Sequence, residues 1–418
     1  MMKLNLPWPV QYAMRSLTGA GYQAYIVGGS VRDALLGKEP SDYDITTNAT
    51  PEEVRAVFRR DKLVLNGLKH GTVTLIKRAM PVEITTFHLG GGDDAEDEDA
   101  AFTGNLYEDV QRRDFTVNAL CWNEQAGLID YTGGQEDIES RLIRSVGDPA
   151  VCLREDPARV LRALRLSAVL DFDIDPPTAR AIHDNGAGLN SLAVERVLME
   201  LRKLLCGPRA EAVLVEYRDV FEAVMPELAS LAPGEYLLAA RRVSLVAPAP
   251  ELRLAALMGD LSREQAEACA LRLRFSRVSR KFIDSAIEHG HDPMPTDRAG
   301  MRRAMNRYGD ELLPGLVELH AARVQALLHM VIQENDCVSL DQLALTAEDV
   351  FRLGVTRRRV PACLNDLLER VMDGQLPNTV QALSEAVQSD LAAQEAAAPR
   401  RSRRRRKTAG AAENTAEE

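Results

Sequence analysis

Two aspartates separated by one residue, Asp42 and Asp44, have the spacing in this 418-residue chain that is most suggestive of chemistry. They fall in a β-prone segment, and residues i and i+2 of a strand point to the same face of a sheet. Two carboxylates on one face repel each other unless a cation neutralises them. A pair of Mg²⁺ ions that bridge a triphosphate would do so, which is the two-metal arrangement for phosphoryl transfer.

A glycine pair, Gly28-Gly29, precedes the aspartates and follows the apolar strand predicted at Ala24–Val27. Two glycines let the backbone turn sharply and approach a ligand with no side chain in the way. Arg32 then lies on a short amphipathic helix. An Asp-x-Asp alone is usually a strand edge or a turn, and a Gly-Gly alone is usually a turn. Their combination with an arginine on the intervening helix is much more specific.

A second motif begins with Arg112-Arg113-Asp114 and continues to Leu120. Guanidinium groups are always charged and can bind phosphate oxygens through two hydrogen bonds, which suits a triphosphate. Asp114 and Asn118 are candidates to contact a ribose hydroxyl. In isolation, however, an Arg-Arg-Asp triplet is more often a salt-bridged surface turn.

A third motif places an acidic and three basic side chains at intervals of three residues: Asp156, Arg159, Arg162 and Arg165. Pro157 favours the start of a helix here, so the row would follow one side of that helix. An aspartate that accepts hydrogen bonds and arginines that donate them can read the edge of a base. The alternative is an ordinary salt-bridged helix surface.

The three motifs in this order resemble the class II nucleotidyltransferases of the polymerase-β superfamily, the branch that holds bacterial CCA-adding enzymes and poly(A) polymerases. The resemblance is strong over residues 22–210. It implies that Asp42 and Asp44 are the catalytic residues and hold Mg²⁺. The nucleotide-binding residues that it implies are Gly29, Arg32, Arg113, Asp156, Arg159, Arg162 and Arg165.

The resemblance also implies a reaction, the template-independent addition of C, C and A to the 3′ ends of tRNA. The substrates would be tRNA, CTP and ATP, and pyrophosphate would be released. Residues 67–74 and 82–87 look like the corresponding stretches of CCA-adding enzymes, and Glu83 is a candidate third carboxylate.

Two other functions stay open at this point. A poly(A) polymerase that adds A to RNA 3′ ends would share every catalytic residue, and the basic C-terminal run favours it. A noncatalytic RNA-binding protein on a transferase fold is the second alternative. The intact Asp42 and Asp44 pair argues against it, because a binding module has no need of two adjacent carboxylates.

The order of the segments predicts an α+β fold in four parts. Strand signals fill the first third of the chain, and Leu/Ala/Arg/Glu-rich helical patterns replace them from about residue 157. Strands are predicted at 24–27, 43–46, 72–76, 82–86 and 116–122, with a helix at 51–58 that Thr50 caps. The predicted parts are a nucleotidyltransferase head with a mixed sheet (1–146), a helical neck that reads the base (147–210), a helical body and tail that bind tRNA (211–397), and a disordered basic tail (398–418).

Composition limits the possible partners. The formal net charge is −11, so an RNA partner requires a local basic patch on an acidic protein. Residues 90–99 are predicted to be a solvated acidic loop. Candidates for contacts with the tRNA backbone are Arg272, Arg274, Arg277, Arg280, Arg302, Arg303 and Arg307.

Other sequence features favour a protein of the cytoplasm without a structural metal. The six cysteines include no Cys-x-x-Cys pair, so neither structural zinc nor a disulfide framework is expected. No run of apolar residues is long enough to span a membrane, and no secretory signal is evident at the N-terminus.

Overall fold

The computed structural model describes residues 4–89, 102–290, 292–318, 328 and 330–397. The chain packs as two compact units, which divide between Asp292 and Pro293. The acidic loop predicted at 90–99 and the basic tail predicted at 398–418 lie outside the described residues. The domain boundaries predicted after residues 146 and 210 both fall within the first unit, and they stay predictions.

The first unit contains a mixed sheet, which confirms the predicted α+β fold class. Its strands are β1 (Ala24–Val27), β2 (Asp44–Thr47), β3 (Lys62–Val64), β4 (Thr72–Lys77), β5 (Met80–Thr86), β6 (Cys121–Asn123) and β7 (Gly127–Ile129). They form one seven-stranded sheet in the order β3-β4-β5-β2-β1-β6-β7, in which only β2 and β5 are parallel neighbours. A short parallel pair, β8 (Leu142–Ile143) and β9 (Asp173–Ile174), lies apart from this sheet, and β9 is a strand beyond residue 157, where we predicted helices alone.

Helices account for most of the remaining described structure of the first unit. They are α1 (Trp8–Gly19), α2 (Gly29–Leu35), α3 (Pro51–Val57), α4 (Leu106–Gln111), α5 (Gly134–Glu139), α6 (Pro149–Glu155), α7 (Ala158–Leu170), α8 (Pro176–Asn185), α9 (Val194–Leu205), α10 (Ala210–Glu216), α11 (Arg218–Val224), α12 (Pro233–Leu245), α13 (Pro250–Met258), α14 (Arg263–Arg272) and α15 (Arg277–His289). The predicted cap of α3 is present, because Thr50 Oγ1 accepts a hydrogen bond from the Glu53 N–H and the Glu53 carboxylate accepts one from the Thr50 N–H.

One face of the sheet is a conventional apolar core. Ile45 of β2 and Leu75 of β4 are fully buried on it. Helices α1 and α3 cover this face, since the Lys77 ammonium at the end of β4 lies 4.2 Å from the centre of the Tyr12 ring of α1, and Tyr12 contacts Phe58 just after α3.

The opposite face carries both apolar and acidic side chains. Val27, Phe87, Val110 and Cys121 form one buried cluster there, in which α4 packs on the sheet. Asp44 is the register partner of Val27, so strand alternation places its carboxylate on this second face. The start of β2 therefore brings a carboxylate to the edge of an apolar cluster.

The strand predicted at 116–122 is wrong over its first half. Residues Thr116–Asn118 form a 3₁₀ turn, and the strand begins only at Cys121. The turn is held by tertiary contacts, because the Thr116 hydroxyl donates to Asp137 Oδ2 at 2.6 Å and the Thr116 N–H donates to the Arg144 carbonyl at 3.0 Å. These partners are distant in sequence, so local β propensity gave the wrong result.

The second unit is helical in its described residues. Its helices are α16 (Arg298–Glu318), α17 (Ala347–Arg352), α18 (Val360–Met372) and α19 (Val380–Ala397). Helix α16 breaks at Gly309, whose φ of 77° lies in the left-handed region that favours glycine. Met301 and Val331 belong to one apolar cluster, and Val350 and Leu367 belong to another. Among the described residues of both units, no helix is long and apolar enough to cross a membrane.

Candidate active site

Three carboxylates gather where β2 and β5 run side by side. Asp44 begins β2 and is the parallel register partner of Glu83 in β5. Asp42 lies two residues before β2 rather than within it, so the prediction of two aspartates on one strand is wrong in that detail. Asp44 is partly buried, whereas Asp42 and Glu83 are exposed.

The electrostatics of Asp44 show that the three groups interact. Burial, then the charges of Glu83 and Asp42, raises the pKa of Asp44 to about 6. The positive charges of Arg113 and Arg162 act in the opposite direction. The site therefore holds like charges close together, as is common where a cationic ligand completes a site.

The glycine pair lies directly beside these carboxylates. Gly28 follows Val27, the register partner of Asp44, and has φ 78° and ψ −141°. A Cβ atom on Gly28 would lie 3.8 Å from Asp44 Oδ2, and the positive φ would strain any other residue. Gly29 then begins α2, so the chain turns from β1 into a helix next to Asp44.

Arg32 links this turn to the second motif. Its guanidinium donates to Asn118 Oδ1 at 2.5 Å and to Asp33 Oδ1 at 2.9 Å. The Asn118 side-chain amide in turn lies 3.4 Å from Asp114 Oδ1. The first two predicted motifs therefore meet in space, although they are about 80 residues apart in sequence.

The position of Arg113 depends on Asp109, a residue that the sequence analysis missed. The Asp109 side chain is fully buried, and its Oδ2 accepts from Arg113 at 2.8 Å and from the Thr46 hydroxyl at 3.2 Å. Its Oδ1 accepts from the His88 N–H at 3.2 Å and faces Arg112 at 3.3 Å.

This network explains how a carboxylate can be buried at that point. Burial alone would raise the pKa of Asp109, but Arg113 and then Arg112 hold it below its usual value. A signal was present in the sequence, because Asp109 precedes the two arginines by three and four residues, the spacing of helical neighbours. The burial that makes this spacing significant depends on the tertiary fold.

The third motif joins the site through Arg162. Arg162 of α7 forms a 2.7 Å ion pair with Asp114 Oδ2, and its charge reaches Asp44. Arg159 instead donates to the carbonyls of Arg112 at 3.0 Å and Cys152 at 3.2 Å. Both arginines thus contact the second motif itself, Arg162 through Asp114 and Arg159 through Arg112.

The two ends of the third motif have other partners. Asp156 lies before α7, where its Oδ1 accepts from the Ala158 N–H at 3.0 Å and its Oδ2 pairs with Arg196 at 3.1 Å. Arg165 pairs with Glu200 of α9, a contact that joins two helices. The motif is therefore not a row of four free side chains along one helix, and its role in binding a base stays a prediction.

Of the seven arginines predicted to contact tRNA, four form ion pairs with carboxylates of the protein. Ion pairs hold Arg272 to Glu227 at 2.7 Å and Arg274 to Glu195 at 2.6 Å. In the second unit, Arg302 pairs with Asp336, and Arg303 pairs with Asp373. Of the others, Arg277 and Arg280 line a groove of about 320 Å³ with Lys281, and Arg307 lies over the Tyr308 ring.

The donor set of the candidate site suits a hard divalent cation, since such ions prefer carboxylate oxygens. In the described part of the chain, no group of three or more His, Cys, Asp or Glu side chains is arranged to hold a metal ion by itself. Asp42, Asp44 and Glu83 instead form a cluster of negative charge. A bound cation would relieve the repulsion among these carboxylates.

Comparisons with known proteins identify the family. Residues 24–144 match the family described as "Poly A polymerase head domain", and residues 171–231 match "Probable RNA and SrmB- binding site of polymerase A". A CCA-adding enzyme of Bacillus licheniformis is 33% identical over 390 residues, which cover 90% of this chain and 96% of that protein. The chain belongs to the CCA-adding enzyme family. The predicted family is thus confirmed, and the chain is a nucleotidyltransferase.

Two further members of the CCA-adding enzyme family support this result. A CCA-adding enzyme of Geobacillus thermodenitrificans is 41% identical over 286 residues, which cover 66% of this chain and 69% of that protein. Among solved structures, the Bacillus stearothermophilus CCA-adding enzyme in complex with CTP is 28% identical, with a TM-score of 0.75. That match covers 94% of this chain and all of the Bacillus chain. The family is known to use divalent metal ions.

Proposed function

We propose that this chain adds C, C and A to the 3′ ends of tRNA, using CTP and ATP and releasing pyrophosphate. The observation that carries the proposal is the meeting of Asp42, Asp44 and Glu83 beside the Gly28 turn, in a chain that belongs to the CCA-adding enzyme family. A noncatalytic RNA-binding protein would gain nothing from this repulsive set of carboxylates.

The proposed metal ligands are Asp42 and Asp44, with Glu83 as the third carboxylate and Mg²⁺ as the ion. Mg²⁺ prefers oxygen ligands and is commonly held by one or two carboxylates together with substrate phosphates. This preference fits a site in which the protein supplies few convergent ligands. When bound, Mg²⁺ supplies charge stabilisation to the attacking and leaving oxygens of the transfer.

The surrounding side chains orient the nucleotide in this proposal. Arg113, held by Asp109, and Arg32, held by Asn118, present guanidinium groups that can bind the triphosphate. The Gly28-Gly29 turn lets the phosphates approach the backbone next to Asp44. Since the pKa of Asp44 is about 6, its carboxylate is mostly ionised near neutral pH and is ready to bind a cation.

Selection of the base is assigned to the third motif. Asp156 would accept a hydrogen bond from an exocyclic amino group, and Arg159, Arg162 and Arg165 would donate to ring nitrogens or carbonyls. Of these four side chains, Arg162 is the one whose positive charge lowers the pKa of Asp44. The other three are already bonded within the protein: Asp156 to Arg196, Arg159 to the Cys152 carbonyl, and Arg165 to Glu200. These bonds would have to be exchanged or shared when a nucleotide binds.

The reaction consumes tRNA, CTP and ATP, which are all components of the cytoplasm, so the cytoplasm is the proposed compartment. The comparisons give no support to poly(A) synthesis as the main activity, because the named relatives are CCA-adding enzymes.

One incubation series tests the proposal. A labelled tRNA that lacks its CCA end is incubated with CTP alone, ATP alone, or both. We expect two added residues with CTP alone and three with both nucleotides, with no long products. Long adenosine tails with ATP alone would show a poly(A) polymerase, and no extension under any condition would contradict a catalytic function.

A further inference from the structure

The outward side of α1 carries an exposed aromatic pair. Trp8 and Tyr12 lie one helical turn apart, and their rings stack with centroids 5.4 Å apart and planes inclined by 18°. The buried side chains of α1, such as Val10 and Leu17, are on the other side of the helix. Trp8 is 44% exposed, although tryptophan is highly buried on average. The fold therefore holds a large aromatic ring at the surface.

The β4–β5 hairpin places a guanidinium against this pair. Lys77 and Met80 are register partners, so Arg78 and Ala79 form a two-residue turn. Arg78 and Ala79 have φ values of 49° and 62°, in the left-handed region that asparagine and glycine adopt more easily. The Arg78 guanidinium lies 4.2 Å from the centre of the Trp8 ring. A strained turn therefore presents an exposed arginine on an exposed indole, and backbone strain of this kind clusters at functional sites.

A second tight turn brings two more arginines beside the aromatic pair. The Asp61 N–H donates to the Phe58 carbonyl at 2.8 Å, so Arg59 and Arg60 form the tip of this turn. Both ends of the turn contact Tyr12, because the Phe58 ring centroid lies 6.2 Å from that of Tyr12 and the Tyr12 hydroxyl donates to Asp61 Oδ2 at 2.8 Å. Arg59 and Arg60 are both exposed. Their charges therefore lie next to α1.

The protein leaves the arginines of this region without acidic partners. Arg15, which follows Trp8 by about two helical turns, is exposed on the same side of α1. Asp61 lies beside Tyr12, but its carboxylate is already paired with Lys77. Within the described residue ranges, no carboxylate forms an ion pair with Arg15, Arg59, Arg60 or Arg78. We call Trp8 and these four arginines the basic aromatic surface.

The chemistry of the basic aromatic surface fits a single strand of nucleic acid. The protein as a whole has a net charge of −11, so a local group of unpaired arginines is where phosphates would be attracted. Bases that are not paired stack on exposed aromatic rings and on guanidinium planes, whereas a duplex keeps its base faces covered. An acidic peptide would satisfy the arginines but has no need of the Trp8–Arg78 pair.

The basic aromatic surface lies away from the candidate active site. Helix α1 covers the sheet face on which Ile45 is buried, and the Asp44 carboxylate lies on the opposite face. No residue of the surface belongs to the three sequence motifs of the site. A ligand bound to this surface would therefore leave the nucleotide-binding side chains uncovered.

We propose that the basic aromatic surface is a second RNA site, which binds a single-stranded stretch of RNA outside the transfer site. Bases stack on Trp8 and Arg78, and Arg15, Arg59 and Arg60 contact backbone phosphates. The inference goes beyond the proposed function, because it concerns binding by a surface that takes no part in nucleotide transfer.

The test measures binding of a fluorescent oligocytidine of about 10 nucleotides, a length that suits one single-strand site, at several salt concentrations. Trp8→Ala removes the stacking ring, and Arg59→Ala/Arg60→Ala removes two cations without changing the ring. Arg180→Ala/Arg241→Ala is the matched control, because it removes two exposed arginines on α8 and α12. Denaturant unfolding checks that each variant is folded.

For Arg59→Ala/Arg60→Ala we expect the slope of log affinity against log salt to become shallower by about 1.4, because each lost phosphate contact removes roughly 0.7 for a single strand. Trp8→Ala should weaken binding about tenfold, a loss within the range for stacking of one base. Trp8→Phe should restore most of the affinity. An RNA duplex of the same length should bind more weakly than the single strand, and the Trp8→Ala substitution should not change its affinity.

Several results would overturn the inference. Oligocytidine affinities and salt slopes that match those of the control variant would exclude the surface as an RNA site. An oligoglutamate of the same charge that displaces the RNA as effectively as unlabelled oligocytidine would make it a surface for acidic proteins. The proposed function is tested separately, since a chain that binds oligocytidine through Trp8 but extends no tRNA would contradict only that function.

Discussion

Asp44 in the first unit and Asp336 in the second are both shielded carboxylates, yet their surroundings are opposite. Asp44 lies beside Glu83 and Asp42, and its pKa is raised to about 6. Asp336 accepts hydrogen bonds from Arg298 at 2.6 Å and from Arg302 at 2.7 Å. These bonds, first from Arg298 and then from Arg302, hold the pKa of Asp336 below its usual value despite its burial.

The difference separates a carboxylate that the protein pairs with arginines, Asp336, from one that it places beside other carboxylates, Asp44. In the second unit, the arginines bring the neutralising charge, so the network stabilises the fold whenever the carboxylate is ionised. At Asp44, the charges of Glu83 and Asp42 outweigh those of Arg113 and Arg162, so repulsion between like charges prevails. Asp109 is an intermediate case, because its own pairing is complete while one of its partners, Arg113, faces the active site.

Removal of the proposed catalytic carboxylates should have the largest effect. We expect Asp42→Ala and Asp44→Ala each to abolish nucleotide transfer and to leave tRNA binding nearly intact, because the metal that stabilises the attacking and leaving oxygens is lost. Transfer rates and tRNA affinity are measured on the same preparations. Retention of more than about a tenth of the wild-type rate, a loss of less than 1.4 kcal/mol in transition-state stabilisation, would contradict the assignment.

Replacement of the buried Asp109 tests whether paired charges also serve catalysis. Asp109→Asn keeps the shape but leaves the buried guanidinium of Arg113 without its counter-charge. We expect kcat/KM for CTP to fall about 10- to 100-fold, because a hydrogen bond to a charged group is worth about 1.5–3 kcal/mol. The free energy of unfolding should fall by about 3–5 kcal/mol.

The control for this variant is Thr46→Val, which removes the hydrogen bond that the Thr46 hydroxyl donates to the same carboxylate but leaves the Asp109–Arg113 ion pair in place. It should cost about 1.5–3 kcal/mol of stability and leave the KM for CTP unchanged. If both variants reduce stability and activity in proportion, Asp109 acts on the fold alone and does not position Arg113.

Nucleotide choice tests whether the third motif reads a base. We expect Asp156→Ala or Arg159→Ala to let UTP or GTP compete about tenfold better, since an unpaired buried polar group costs about 1–3 kcal/mol. Incorporation of each of the four nucleotides is measured under identical conditions. An unchanged preference for CTP and ATP with a uniformly lower rate would show that these residues only support the fold.

The pH dependence of stability provides a direct contrast between the two aspartates in metal-free buffer. The pKa of Asp44 is raised on folding, so its charge destabilises the fold above about pH 6, and this cost disappears as the pH falls toward about 4. Asp44→Asn should therefore raise the free energy of unfolding by about 1–3 kcal/mol at pH 8 and change it little near pH 4.

Asp336→Asn should have the opposite sign. The pKa of Asp336 is lowered on folding, so its contribution is present above about pH 4 and is lost as the pH falls through the folded-state pKa. We expect a loss of about 1–3 kcal/mol at pH 7 that shrinks in acid. Denaturant unfolding at several pH values measures both variants, and effects of the same sign would refute the comparison.

Deletion of Arg400–Glu418 should have the smallest effect. The segment is basic at its start and is distant in sequence from every motif. We expect the choice of nucleotide to stay the same and tRNA binding to weaken only at low salt, because nonspecific phosphate contacts are screened. A truncated protein whose products change from long tails to CCA would assign specificity to this segment.

The sequence by itself determined the family, the order of the motifs and most of the sheet. A glycine pair, two closely spaced carboxylates and an arginine cluster are chemically unusual at these spacings, so short local patterns were enough to predict Asp44, Arg32 and Arg113 as site residues. The strand β1 and the cap of α3 also follow from local propensity and side-chain hydrogen bonding.

Only the tertiary structure decided how these residues are held. The burial of Asp109 between Thr46 and Arg113, and the separate partners of Asp156 and Arg165, depend on elements far apart in sequence. Local patterns indicate which side chains can be neighbours along one helix or strand. Burial and strand register determine which charged side chains come into contact in the folded protein. For this reason the sequence predicted the candidate catalytic groups, and the fold alone distinguished Asp109, which arginines neutralise, from Asp44, whose acidic neighbours outweigh its basic ones.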